Sequence, residues 1–189
     1  TCTLSGDYGL TGPLRIQAGT LVFQGNANSI DGDVTLVSSG VLSTSIDLAI
    51  AGTVNHANSA SLRGTGTVTV AGKYTWSSGT MWDSGTTVLN GGLDLTTSFH
   101  YVRTGRILEL NSPTTWTGGA FATISGGTIN NNNVFDIKGD FGVTTSSSPI
   151  GLFNNSNGST LQKTGGTGLA NFTVNYSNDG VVVVNSGSM

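Results

Sequence analysis

The sequence predicts an all-β fold, a right-handed parallel β-solenoid (β-helix) with about 21 residues per coil, formed by residues 1–189 as a single domain. Three observations predict it. Short alternating runs rich in β-branched residues lie between clusters of Gly, Asn and Ser. Glycines preceding such runs fall at Gly19, Gly40, Gly64, Gly85, Gly105, Gly126, Gly158 and Gly180, at intervals of 21, 24, 21, 20, 21, 32 and 22. A fixed period of this size marks a repeat architecture. Finally, Val70, Trp76 and Gly79 are echoed forty residues later by Leu110, Trp116 and Gly119, two periods on.

The strand runs follow in order: "TLVF" at 20–23, "DVTLV" at 33–37, "TVTV" at 67–70, "TVL" at 87–89, "RILEL" at 106–110, "FTVNY" at 172–176 and "VVVV" at 181–184. A unit of about 21 residues is too short to bury a core alone. Wound into a coil, it stacks strand on strand at about 4.7–4.9 Å. Equivalent residues then form columns, with Leu21, Leu42, Val68, Val88, Ile107, Ile129, Leu161 and Val182 expected inward. Trp76 and Trp116 are expected in one column two coils apart. Gly supplies positive φ at tight corners, and Asn supplies the same freedom and can stack in ladders. The 32-residue interval, with Pro149 and three serines, suggests an irregular insertion near 139–152. The alternative fold is a β-sandwich, which also yields short strands but no echo at two periods.

Composition narrows the functional classes. The chain has 28 Thr, 22 Ser, 17 Asn and 29 Gly, and only 9% charged residues. Its recurrent apolar runs and net charge of -3 argue against disorder, which combines low hydrophobicity with high net charge. Seven scattered Lys and Arg make no nucleic-acid footprint. No apolar run approaches the ~20 residues of a membrane span, so no membrane insertion is expected. The start, "TCTLSGDYGL", lacks the regions of a signal peptide. Cys2 is the single cysteine and excludes an internal disulfide framework. The balance of few charges with abundant Ser, Thr, Asn and Gly suits an extracellular or bacterial cell-surface location.

Two C-terminal stretches, "LFNNSNGSTLQKTGG" and "FTVNYSNDGVVVVNSGSM", each run from an aromatic residue through Asn and Gly into an alternating strand. The pattern covers Phe153–Gly166 and Phe172–Gly187, with weaker agreement from Gly64 to Gly126. It resembles β-helical repeats of large bacterial secreted surface proteins, such as filamentous-haemagglutinin-like adhesins and autotransporter passengers. The resemblance implies an elongated extracellular scaffold and assigns no functional residue, because such families share architecture more than chemistry.

Candidate chemistry is sparse. Glycoside hydrolysis needs two carboxyl groups about 5–9.5 Å apart, and Asp31 and Asp33 of "DGD" are the nearest local pair. Their central glycine reads as a turn. Asp47, Asp94 and Asp136 are read as a solvated column. His56 and His100 stand alone, without ligands at metal spacing. No enzyme activity, metal site or cofactor is therefore expected. The sharper binding reading is a polysaccharide surface built on Trp76, Trp82 and Trp116. Its alternative is that Trp76 and Trp116 fill the core. An outward Thr-x-Thr row, as used by ice binders, occurs once, at Thr65–Val70, and does not recur. The expected role is structural or adhesive. Open strand edges would stack copies head to tail, joining the strand Val181, Val182, Val183 and Val184 to an N-terminal coil around Leu14, Ile16, Leu21 and Phe23.

Overall fold

The computed structural model describes residues 1–26, 28–124, 126–145 and 148–189. It is a parallel β-solenoid of about eight turns, with no helix among the described residues. Each coil contributes one short strand to each of three sheets, except that the last meets sheet A only through an isolated bridge between Val143 and Phe172. Sheet A has eight strands, from Cys2–Leu4 to Val143–Thr145, and sheets B and C have nine each. Sheet B runs from Tyr8–Leu10 to Asn175–Asn178, and sheet C from Leu14–Ile16 to Val181–Val184. Every described strand pairing is parallel, which the antiparallel β-sandwich alternative does not permit.

The strands are only three or four residues long, so each turns one or two side chains inward. Thr67–Val70 shows the pattern, with Val68 and Val70 buried and Thr67 and Thr69 half-buried outside. Thr, Val and Ile suit this role because their branched side chains pack well on a pleated surface. Corners form where backbone meets backbone. Gly64 lies at φ 100° with the Thr44 carbonyl oxygen 1.9 Å from where a Cβ would stand. Both the left-handed conformation and the contact require glycine. Asn58 adopts φ 60° at another corner, the use expected of Asn.

The inward column differs from the one expected. Leu42, Val68, Ile129 and Leu161 are buried, and Leu21 packs partly buried in the same column as Leu42. Val88 and Ile107 face outward; Thr87 and Leu108 take the inward places. Val182 shares the column of Leu161, but with no coil above it remains 43% exposed. The glycine series does not follow one sheet. Gly19 and Gly40 precede strands of sheet A, Gly64 to Gly126 precede sheet B, and Gly158 and Gly180 precede sheet C. The two longest intervals are where the series moves to the next sheet. The second also contains a 24-residue step between the paired residues Thr128 and Leu152. Ser146 and Ser147, inside the stretch read as an insertion, lie outside the described residues.

Candidate functional site

One of the two inward columns of sheet C is Ile16, Leu36, His56, Trp76, Leu95, Trp116, Ile137, Lys163 and Val184. Trp76 and Trp116 therefore stand two coils apart, as their echo implies. Both are 0% exposed, so neither offers a ring to a sugar. Their bulk is used inside. Trp76 stacks on His56 at 5.4 Å and meets Phe121 edge-on at 5.8 Å; Trp116 meets Phe121, Phe135 and Phe141. The polysaccharide reading loses these two residues for a plain reason: the column that aligns them faces the core.

The histidines belong to this interior. His56 Nε2 donates to the Ala60 carbonyl at 2.8 Å, and Tyr74 donates its hydroxyl proton to Nδ1 at 2.8 Å. That arrangement uses the neutral imidazole. Burial pushes the His56 pKa down to about 4, with the Ala60 hydrogen bond opposing the shift. His100 donates from Nε2 to the Trp76 carbonyl, and burial lowers its pKa as well. Arg106, unremarked in the sequence beyond its strand, is buried. Nε and Nη2 donate to Thr87 Oγ1, Nη1 to the Gly64 carbonyl and Nη2 also to the Thr86 carbonyl. One guanidinium thus ties three coils together. Burial lowers its pKa to about 10, still cationic at neutral pH.

The acidic residues act mostly as corner braces. Asp33 Oδ1 accepts from the Thr53 amide and hydroxyl, both at 2.8 Å, which holds its pKa below the usual carboxylate range. Asp7, Asp47 and Asp83 likewise accept from amides of neighbouring coils. Asp94 and Asp136 share an outward column of sheet C with Thr115 between them, paired to Lys73 and Lys138. Asp47 sits at a corner beside sheet B, outside that column. Among the described residues no group of three His, Cys, Asp or Glu is placed to hold a metal ion.

The outer face of sheet A carries a different arrangement. Arg63, Trp82 and Arg103 follow the paired residues Leu62, Met81 and Val102, so they stand side by side on successive coils. The guanidinium carbons lie 4.6 Å and 5.4 Å from the Trp82 ring centroid, one from each neighbouring coil. Arg103 also covers Tyr101 at 4.5 Å, and Tyr101 stacks against Phe99 at 6.0 Å. The spacing of these residues follows the coil period and was readable in the sequence.

The two ends of the solenoid present strand edges. At one end these are Cys2–Leu4, Tyr8–Leu10 and Leu14–Ile16. Leu14 is half-buried and Ile16 is 7% exposed. Leu21 and Phe23 belong to the second coil, covered by Cys2 and Leu4, and Phe23 is fully buried, so neither lies on the edge. At the other end Val181, Val182 and Val184 are 55%, 43% and 45% exposed, with Val183 half-buried on the outer side. Leu161, Phe172, Tyr176, Val182, Val184 and Met189 line an apolar hollow of about 380 Å³ there.

No protein-family model matches the chain, and no curated protein or solved structure matches it either.

Proposed function

We propose that this chain is a structural, non-enzymatic β-solenoid of an extracellular or bacterial cell-surface scaffold, lengthened by head-to-tail stacking of copies. The carrying observation is the match between its two end coils. The column of Leu161 begins at Leu14 and ends at Val182, and the Trp column begins at Ile16 and ends at Val184. Tyr8 and Tyr176 likewise begin and end one column of sheet B. A second copy set down in continuing register would place Leu14 on Val182, Ile16 on Val184 and Tyr8 on Tyr176. Covering Val182 and Val184, 43% and 45% exposed, gains a part of the about 1.5–3 kcal/mol that complete burial of such a side chain is worth, and the backbone ladder would continue across the junction. The contact joins unlike surfaces and does not close, so it generates a fibre. The extracellular placement rests on the low charge and the resemblance to bacterial surface repeats. The non-enzymatic reading is supported by the engagement of Asp33 as a brace.

Electron microscopy over a concentration series tests this. Fibres with a ~4.8 Å axial repeat are expected. The double variant Val182→Asp/Val184→Asp should remain as short particles with unchanged circular dichroism. Discrete particles of the parent chain at every concentration would remove the proposal.

A further inference from the structure

We propose that the outer face of sheet A around Trp82 is a binding site for a carboxylated polysaccharide, with Arg63 and Arg103 as its carboxylate-binding groups. The site lies on the flank of the solenoid and is independent of end-to-end stacking.

Four observations lead there. First, the two guanidiniums have no carboxylate partner among the described residues. The ion pairs are Lys73–Asp94, Lys138–Asp136 and Lys163–Asp140; the Nε atoms of Arg63 and Arg103 are buried without a hydrogen-bond partner, which leaves their terminal nitrogens to meet a carboxylate. Trp82 holds both cations by its ring faces, an attraction of about 0.5–1 kcal/mol at exposed sites, which fixes them without neutralising them. Second, the acids are elsewhere. The outward neighbours on this face, Ser43, Ser61, Thr80 and Tyr101, are uncharged, and the outer faces of sheets B and C carry Glu109, Asp94 and Asp136; the one acid beside the triad, Asp83, accepts from the Gly64 amide and makes no ion pair with either arginine. Third, Phe99 is 54% exposed beside Tyr101 and offers an apolar platform next to the cations, suited to the C–H face of a sugar ring. Both faces of Trp82 are occupied by guanidiniums, so it orients the cations and does not stack on the ligand.

Fourth, the spacing selects the polymer. Arg63 and Arg103 are two strand steps apart, about 9.6 Å along the axis at the usual interstrand distance. A linear chain lying along the axis therefore meets two cations well apart. Nucleic acid presents a charge every ~1.7 Å of duplex and its binding proteins typically make about 6–10 phosphate contacts. Two cations on a chain of net charge -3 do not provide that. A polyuronate carries its carboxylates sparsely, on sugar rings. The planar guanidinium fork matches a planar carboxylate in bidentate geometry.

The test is affinity electrophoresis and calorimetry of the full chain against polygalacturonate, with dextran, a sulfated dextran and single-stranded DNA in parallel. Polygalacturonate should bind in a salt-sensitive manner and change the tryptophan fluorescence, because Trp82 is the half-exposed indole. The double variant Arg63→Gln/Arg103→Gln should bind at least about tenfold more weakly, the loss of two charge-assisted contacts. Lys73→Gln, a cation on another sheet, should bind like the parent. No binding of polygalacturonate, undiminished binding by the arginine variant, or tighter binding of sulfated dextran or DNA would each overturn the assignment. Thermal melts of both variants separate lost binding from lost folding.

Discussion

The coils between Asn28 and Leu110 and those between Thr128 and Val184 share one backbone register and fill it differently. In sheet B one inward column reads Leu10, Ile30, Ile50, Val70, Leu89 and Leu110, then changes to Asn131, Asn155 and Asn178. In sheet C, the column of His56 and both tryptophans reaches Lys163. The aliphatic rungs are held by burial, which has no direction. The asparagine rungs are held by bonds along the axis. Asn131 Nδ2 donates to Asn155 Oδ1 at 2.7 Å, and Asn155 Nδ2 donates to Asn178 Oδ1 at 2.7 Å. The same amides also donate to the Thr160 and Val181 carbonyls. Lys163 solves its burial similarly, donating to Asp140 and to the Gly165 and Gly166 carbonyls. An apolar rung accepts any neighbour of suitable volume. An amide rung is satisfied only by a partner in register.

Exchanging the two kinds of rung should break the comparison most severely. Leu89→Asn places one amide between Val70 and Leu110 with no partner above or below. A loss of about 3–5 kcal/mol is expected in urea unfolding. A loss under about 1 kcal/mol would show that the apolar half tolerates polar rungs.

Acid should separate the halves next. His56 belongs to the apolar half and is neutral when folded, with its pKa lowered from 6.5 to about 4. Below pH 6.5 the unfolded chain binds the proton that the folded chain refuses. Stability should therefore fall by up to about 1.4 kcal/mol per pH unit between pH 6.5 and 4. His56→Gln should flatten most of that slope in denaturation curves taken across the window, leaving the His100 contribution. An unchanged slope would exclude His56 as its source.

Within the polar half, Asn155→Leu takes the amide partner from the fully buried Asn131, while the exposed Asn178 turns to water, and should cost about 1–3 kcal/mol. Replacing Asn131, Asn155 and Asn178 together by Leu should cost less than the sum of the single changes, because whole pairs are removed. Strict additivity would contradict a coupled ladder. The smallest effect belongs to the outer ladder of Asn90, Asn111 and Asn132, where the same amide bonds at 2.9 Å face water. Asn111→Ala should change stability by less than about 0.5 kcal/mol. A loss as large as that of Asn155→Leu would show that burial is not what distinguishes the ladders.

Much of this architecture was legible in the residues. The coil length, the parallel stack and the two-coil echo of Trp76 and Trp116 follow from spacing alone. The inward phase did not. Strand side chains alternate with period two, so one residue of slip in a glycine-anchored count turned Val88 and Ile107 outward. Thr87 occupies the inward place because Arg106 needs its hydroxyl as an acceptor, a pairing between neighbouring coils. The triad of Arg63, Trp82 and Arg103 was periodic and therefore readable, but its cations acquire meaning only once their lack of carboxylate partners is seen.

The sequence by itself determined that this chain coils, where its corners bend and which positions recur, because glycine backbone freedom and β-branched alternation are local properties. Which face each recurring residue takes was decided by the tertiary structure. A column of tryptophans reads the same whether it points to water or to the core, and only stacking the coils shows that Trp76 and Trp116 pack inside while Trp82 stands between two arginines outside.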